Sequence, residues 1–135
     1  VSPFIWRSRV YWEDTDAGGV VYYANYLKFL ERSRTEWLRS RGIVQSELAA
    51  REGAVFAVIE VGVRYLRPAR LDDELCISCE PARDGAVSVS FAQHIWRPSE
   101  PEARLIEAQI RVACLDAKSF RPRRLPAVVV AEFPE

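Results

Sequence analysis

The sequence predicts an α+β domain in which one long helix lies on one antiparallel sheet. Apolar residues recur at spacings of three and four from Tyr26 to Trp37, the period of a half-buried helix. From Ala54 onward the period changes to two, the signature of strands. Asp84-Gly85 separates two of the later alternating runs and is a strong hairpin signal. At 135 residues, the chain reads as a single domain over residues 1–135.

The first strand covers Phe4 to Trp12, with Phe4, Trp6, Ser8, Val10 and Trp12 on one face. A turn over Glu13 to Gly19 follows. The helix spans Ala24 to Arg41 and places Tyr26, Phe29, Leu30, Ser33 and Trp37 on one side. Leu27 and Leu38 widen that arc, so the helix is expected to be covered on more than one side. Glu31 with Arg34 or Arg32, and Arg32 with Glu36, stand at ion-pair spacing. Gly42 stops the helix. Val44 to Arg51 reads as a short second helix ending near Gly53. The second strand runs from Ala54 to Leu66, and Pro68 ends it. After a turn at Leu71-Asp72-Asp73, Glu74 to Arg83 is the third strand. The fourth runs from about Ala86 to Trp96. Arg104 to Leu115 is the fifth, burying Ile106, Ala108, Ile110, Val112 and Cys114. The tail after Pro122 is short and partly apolar.

Lys+Arg and Asp+Glu both number 19, so there is no basic excess to mark a nucleic-acid partner. No apolar run approaches the ~20 residues of a membrane helix, and the N-terminus has no signal-peptide pattern. Cys76, Cys79 and Cys114 are odd in number and lie on strand-like segments. They predict a reducing compartment, the cytoplasm, rather than a disulfide framework. On a strand, the C-x-x-C of Cys76 and Cys79 points its side chains to opposite faces, so both read as buried structural cysteines rather than a redox pair.

The chemistry concentrates in Glu13 to Tyr26, E-D-T-D-A-G-G-V-V-Y-Y-A-N-Y. Asp14 and Asp16 sit on a tight turn with Gly18 and Gly19, and that turn feeds a helix N-terminus. The first helical turn has free N–H groups and the positive end of the macrodipole, which suit an oxyanion. A carboxylate beside such a hole can direct attack on a carbonyl. The same two aspartates also fit plain turn and capping roles. D-x-D occurs in metal sites too, but a divalent cation needs several more ligands. The sole histidine, His94, lies far downstream on a strand and reads as a strand residue, so neither metal nor cofactor is expected.

The stretch D-T-D-A-G-G-V-V-Y-Y-A-N-Y followed by L-E-R-S-R-T-E-W-L resembles the 4-hydroxybenzoyl-CoA thioesterase family of hot-dog-fold enzymes. Within it, the sequence is most similar to bacterial acyl-CoA thioesterases associated with the Tol–Pal system. The resemblance returns at R-P-A-R-L-D-D-E-L (67–75), F-A-Q-H-I (91–95), V-A-C-L-D (112–116) and R-P-R-R-L-P (121–126). It implies a central helix wrapped by a five-stranded antiparallel sheet, and subunits that form dimers or tetramers with sites at their boundary. It implies an acyl-CoA substrate, with acyl carrier protein as a further possible partner. Asp16 takes the place of the catalytic aspartate, acting as nucleophile or as general base for water. The backbone N–H of Tyr23 takes that of the donor to the thioester oxygen. Position 23 follows the hydroxybenzoyl-type members, which carry Tyr, and departs from the Tol–Pal group, which usually carries His.

Gly18 and Gly19 would let the backbone turn and the substrate approach, and Gly19 and Val20 are candidate substrate contacts. Arg83 and Ser88, with Arg70 behind them, are the candidates for the coenzyme A phosphates. The sequence after Asp84 lacks the basic residue many relatives have there. Acyl preference would be set by Leu27, Phe56, Val58 and their neighbours. Glu31 is a rival catalytic acid, because another lineage of the fold puts its carboxylate on the central helix. Two other functions fit the sequence. One is a hot-dog dehydratase acting on acyl carrier protein, for which His94 is poorly placed. The other is a non-catalytic acyl-CoA-binding or envelope-associated interaction module.

Overall fold

The computed structural model describes residues 3–134. The elements are β1 (Phe4–Arg9), α1 (Tyr26–Ser40), α2 (Gln45–Glu52), β2 (Ala54–Tyr65), β3 (Glu74–Arg83), β4 (Ser88–Trp96), β5 (Ile106–Asp116) and α3 (Ala127–Val130). The five strands form one antiparallel sheet in the order β1-β3-β4-β5-β2. The run from β3 to β5 is a meander of neighbours, as alternation and turn signals lead one to expect. β1 and β2 go to opposite edges, so the chain crosses the whole sheet between them while it builds α1.

α1 lies against the sheet because its apolar arc has nowhere else to go. Phe29 and Leu30 are fully buried, and Tyr26, Trp37 and Leu38 nearly so. Each such side chain contributes about 1.5–3 kcal/mol by leaving water. Ser33 and Gln93 are among the polar side chains buried with them. Ser33 Oγ donates to the Ile77 carbonyl at 3.0 Å, and Gln93 Nε2 donates to the carbonyls of Leu30 at 3.0 Å and Ser78 at 3.2 Å. A buried polar group is tolerable only when paired in this way. These bonds fix how the helix is set over β3 and β4.

Several boundaries differ from expectation for local reasons. β1 stops at Arg9, and the chain then turns through a 3-10 turn at Trp12–Asp14. Trp12 is therefore 79% exposed instead of continuing the buried face. The long helix opens with a 3-10 turn at Tyr23–Asn25 before α1 proper. It ends where Gly42 adopts φ +78°, with Gly42 N–H on the Arg39 carbonyl and Ile43 N–H on that of Leu38. The expected pairing of Glu31 with Arg34 or Arg32 is not formed. Glu31 accepts from the Thr35 hydroxyl, and Arg34 is buried, donating to Gln93 Oε1 at 3.1 Å. Glu36 pairs with Arg39, not with Arg32.

β2 carries a bulge between Val58 and Glu60. Val58 pairs with Val112 and Val61 with Ile110, and both partners are buried. Phe56 and Val58 before the bulge thus share a face with Val61, Val63 and Tyr65 after it. An unbroken alternation would have placed them on opposite faces. The tail folds back: Trp37, Phe91 and Phe133 stack edge to face, with ring centroids 4.9 to 6.1 Å apart. No helix among the described residues is long and apolar enough to cross a membrane.

Candidate active site

Residues 14 to 23 fold into a small ladder. Asp16 N–H donates to the Val20 carbonyl at 2.9 Å, Thr15 bridges Val21, and Tyr22 N–H donates to the Asp14 carbonyl at 2.9 Å. The turn closes with Gly19 N–H on the Asp16 carbonyl at 3.1 Å. Gly19 sits at φ +78°, where a side chain would be strained. The Asp16 side chain is exposed, and its Oδ1 accepts from Gly18 N–H at 2.8 Å. A Cβ on Gly18 would lie 3.2 Å from that same oxygen. The two glycines therefore do different things. One supplies the turn's backbone conformation, and the other leaves room for the carboxylate to fold over its own turn.

Asp14 has the opposite character. It is buried, its Oδ2 accepts from Tyr11 N–H at 2.9 Å, and its Oδ1 lies 3.8 Å from Lys28 Nζ. Its carbonyl also accepts from Asn25 Nδ2 at 2.9 Å. Asp14, Asn25 and Lys28 thus tie the aspartate turn to the start of the helix, a structural role. Asn25 and Lys28 were not picked out from the sequence. The A-N-Y of the motif was the available signal.

Tyr23 is the first residue of the helical turn. Among the described residues its N–H has no acceptor, as befits a first helical N–H. Its carbonyl accepts from Tyr65 Oη at 3.0 Å, which anchors the turn to the end of β2. An open cleft of about 290 Å³ lies beside it, walled by Val21, Tyr23, Tyr26, Tyr65, Leu66 and Pro68. Asp16 stands outside this cleft in the single chain.

The substrate-binding candidates separate into two groups. Val20 bridges Arg70, and Val21 N–H donates to the Ala69 carbonyl at 2.9 Å, so Gly19, Val20 and Arg70 adjoin Asp16. The Arg70 turn is held by Asp73, which accepts from Arg70 N–H and from Arg97 Nε at 2.8 Å each. Arg83 and Ser88 are elsewhere, at the far end of β3 and the start of β4, about 30 Å of strand away. Arg83 donates to the carbonyls of Val130 at 2.8 Å and Phe133 at 3.1 Å, clamping the tail. Ser88 is buried and donates to Asp84, whose carboxyl is held below its ordinary range by Arg111 and by Ser88 itself. In the single chain, then, both expected phosphate contacts serve the scaffold, because the tail and the hairpin need those donors.

The remaining titratable candidates are structural. Cys76, Cys79 and Cys114 are free and buried, and burial pushes the Cys79 thiol up to about 12. That removes thiolate at neutral pH, contrary to what a redox cysteine needs. Burial pulls His94 below its ordinary value, and its Nδ1 has no partner. No cluster of His, Cys, Asp and Glu suited to a metal occurs among the described residues.

Residues 18–103 match the family described as the Thioesterase superfamily. The chain is 46% identical over 130 residues to the Acyl-CoA thioester hydrolase YbgC of Escherichia coli, covering 96% of this chain and 95% of that one. It is 38% identical to the Acyl-CoA thioesterase YbgC of Haemophilus influenzae, covering 96% and 93%. A crystal structure of a Probable Thioesterase from Bartonella henselae is 35% identical, with a TM-score of 0.85 over 93% of this chain and 100% of that one. A 1,4-dihydroxy-2-naphthoyl-CoA thioesterase from Synechocystis superposes with a TM-score of 0.87, covering 96% and 94%, but at 21% identity it shows only the shared fold.

Proposed function

This chain belongs to the thioesterase superfamily of hot-dog-fold enzymes, and we propose that it hydrolyses an acyl-CoA thioester to the free acid and coenzyme A through Asp16 and the Tyr23 N–H. One observation carries the residue assignment. An exposed carboxylate and an unbonded helix-start N–H belong to one hydrogen-bonded ladder, next to a cleft. Attack on the carbonyl carbon, by Asp16 or by a water it deprotonates, puts negative charge on the carbonyl oxygen. The Tyr23 N–H and the positive helix end stabilise that charge, and the thiolate leaves. Arg70, whose guanidinium has no ion-pair partner among the described residues and whose backbone bridges Val20, is the candidate cation for the coenzyme A phosphates. The motifs shared with the 4-hydroxybenzoyl-CoA and Tol–Pal-associated groups support a kinship with them within the superfamily, and the buried free cysteines favour a cytoplasmic setting. Release of free coenzyme A from a panel of acyl-CoA substrates tests the reading. Tight binding of the panel without thiol release would replace it with an acyl-CoA-binding module.

The role of Tyr23 is a backbone role, so proline is the informative substitution. Proline fits the first helical position, and Tyr22 already has the extended backbone (ψ 132°) that proline asks of its predecessor. Tyr23→Pro removes only the N–H and the phenol, and should lower turnover about 10²- to 10³-fold. Tyr23→Phe, which keeps the N–H, should stay near wild type. Equal losses in both would assign the effect to the phenolic hydroxyl.

The site is completed by a second copy in this reading. β2 is an edge strand of 12 residues, with Val58, Ile59, Val61 and Tyr65 each 45% to 52% exposed. A long apolar edge invites another strand. Two copies paired antiparallel about a two-fold near mid-strand would set the Tyr65 end of one β2, with its attached Tyr23 turn, beside the Phe56 end of the other. Val61→Lys puts a charge in that seam. It should convert the sedimenting dimer or tetramer to single chains and lower turnover with it. A fully active monomer would rule out a shared site.

A further inference from the structure

A separate cavity of about 210 Å³ opens between the C-terminal half of α1 and the sheet. Its walls are mainly apolar: Leu38, Phe56, Val58, Phe91, Val112 and Phe133. The exposed Glu31 and Gln45 stand at its rim, both bonded to Thr35. One cation is built into this apolar chamber. Arg34 lies in its wall, buried, with the guanidinium 6.0 Å from the centre of the Phe91 ring. It donates one side-chain hydrogen bond, Nη1 to Gln93 Oε1 at 3.1 Å. Among the described residues it forms no ion pair, and the nearby Glu31 takes the Thr35 hydroxyl instead. Its other N–H groups are not sealed inside protein.

A guanidinium has five donors in a planar fork that matches a carboxylate. Held in apolar surroundings without a counter-ion, it is costly, and an anionic ligand relieves that cost. Burial pulls Arg34 below its ordinary value, the same desolvation seen from the proton's side. As for size, an apolar cavity of about 150 Å³ accepts benzene. A cavity of 210 Å³ therefore takes about six carbons and a terminal polar group. In the β2-paired dimer, the Tyr23 turn of one subunit lies beside the Phe56 end of its partner, where this cavity opens.

We infer that this cavity holds the acyl portion of the substrate, and that Arg34 selects acyl chains ending in a carboxylate, the CoA monothioesters of short dicarboxylic acids. The inference rests on the thioesterase reading above. Adipoyl-CoA and hexanoyl-CoA have the same chain length and differ only at the terminal group, so the ratio of their kcat/KM values reads the selection directly. The wild-type enzyme should favour adipoyl-CoA about tenfold to hundredfold, the range of a hydrogen bond to a charged group. Arg34→Gln should collapse that ratio, and Arg34→Lys should restore part of it.

A wild-type ratio near one, or one favouring hexanoyl-CoA, overturns the inference without any variant and leaves the thioesterase reading intact. A ratio unchanged in Arg34→Gln does the same. If no acyl-CoA releases thiol, the thioesterase reading fails instead, and calorimetric titration of the wild-type protein with intact adipoyl-CoA and hexanoyl-CoA decides the cavity. Tighter binding of adipoyl-CoA that is lost in Arg34→Gln supports the carboxylate site, and equal binding of the two, or binding of neither, ends it.

Discussion

Asp16→Asn should lower thioester hydrolysis about 10²- to 10⁴-fold, the range of a lost general base or nucleophile. It should leave the thermal melting curve where it was. The substitution is nearly isosteric, and its Oδ1 can still accept the Gly18 N–H that Asp16 Oδ1 accepts now at 2.8 Å. The side chain is exposed and holds nothing else. What disappears is the negative charge and the basic oxygen, which are the whole of the proposed chemistry. Asp14→Asn is the natural control because it changes the same atoms two residues away. Asp14 is buried against Lys28 and Tyr11 N–H, so its substitution should lower the melting point as well as the rate. Free thiol release and melting, measured on both variants, separate the roles. An Asp16→Asn enzyme with wild-type rates would remove Asp16 from the mechanism and turn attention to Glu31.

The reach of sequence reasoning here follows from what is local and what is not. The period of α1, the Asp84-Gly85 hairpin and the glycine stops at 42 and 53 are local signals, and each of these features is present, with only the element ends displaced. The aspartate turn was equally legible, since D-A-G-G needs only its own backbone to close. Strand order was not legible. Nothing in β1 or β2 says that they occupy opposite edges, because that depends on where a 15-residue helix sets the chain down. The bulge at Ile59 was hidden for a related reason. β2 is apolar on both sides of the bulge, so a one-residue slip leaves no contrast for a pattern to register.

Charged side chains misled most. Arg34 was assigned to a solvent-side ion pair by its spacing from Glu31, yet its helix position faces the cavity and Gln93. Arg83 reads from the sequence as a candidate contact for the coenzyme A phosphates, and it donates instead to carbonyls of a tail whose course the sequence does not reveal. Helical spacing says which residues share a face. It does not say what the rest of the fold brings to that face.

The same distinction makes Trp37 the test of the core. Trp37→Ala should destabilise the fold by about 3–5 kcal/mol, the usual result of emptying a buried aromatic position. For a domain of this size, that corresponds to a fall of roughly 10–20 °C in Tm. Trp37 is 3% exposed and makes edge-to-face contact with Phe91 and Phe133, at 6.1 and 4.9 Å between centroids. It therefore joins α1, β4 and the tail in one cluster, with Arg41 laid over its ring at 5.8 Å. Removing it should also loosen the tail, exposing Phe133 and the Arg83 clamp to solvent, which amide hydrogen exchange at Val130 to Phe133 would report. Trp12→Ala is the matched comparison. Alternation put Trp12 on a buried face too, but it stands in solvent at 79% exposure, so its loss should move Tm by little in the isolated chain. If Trp12→Ala instead costs as much as Trp37→Ala, Trp12 must be covered by a second copy. Its cost would then shrink as the protein is diluted and the copies part, whereas that of Trp37 would not.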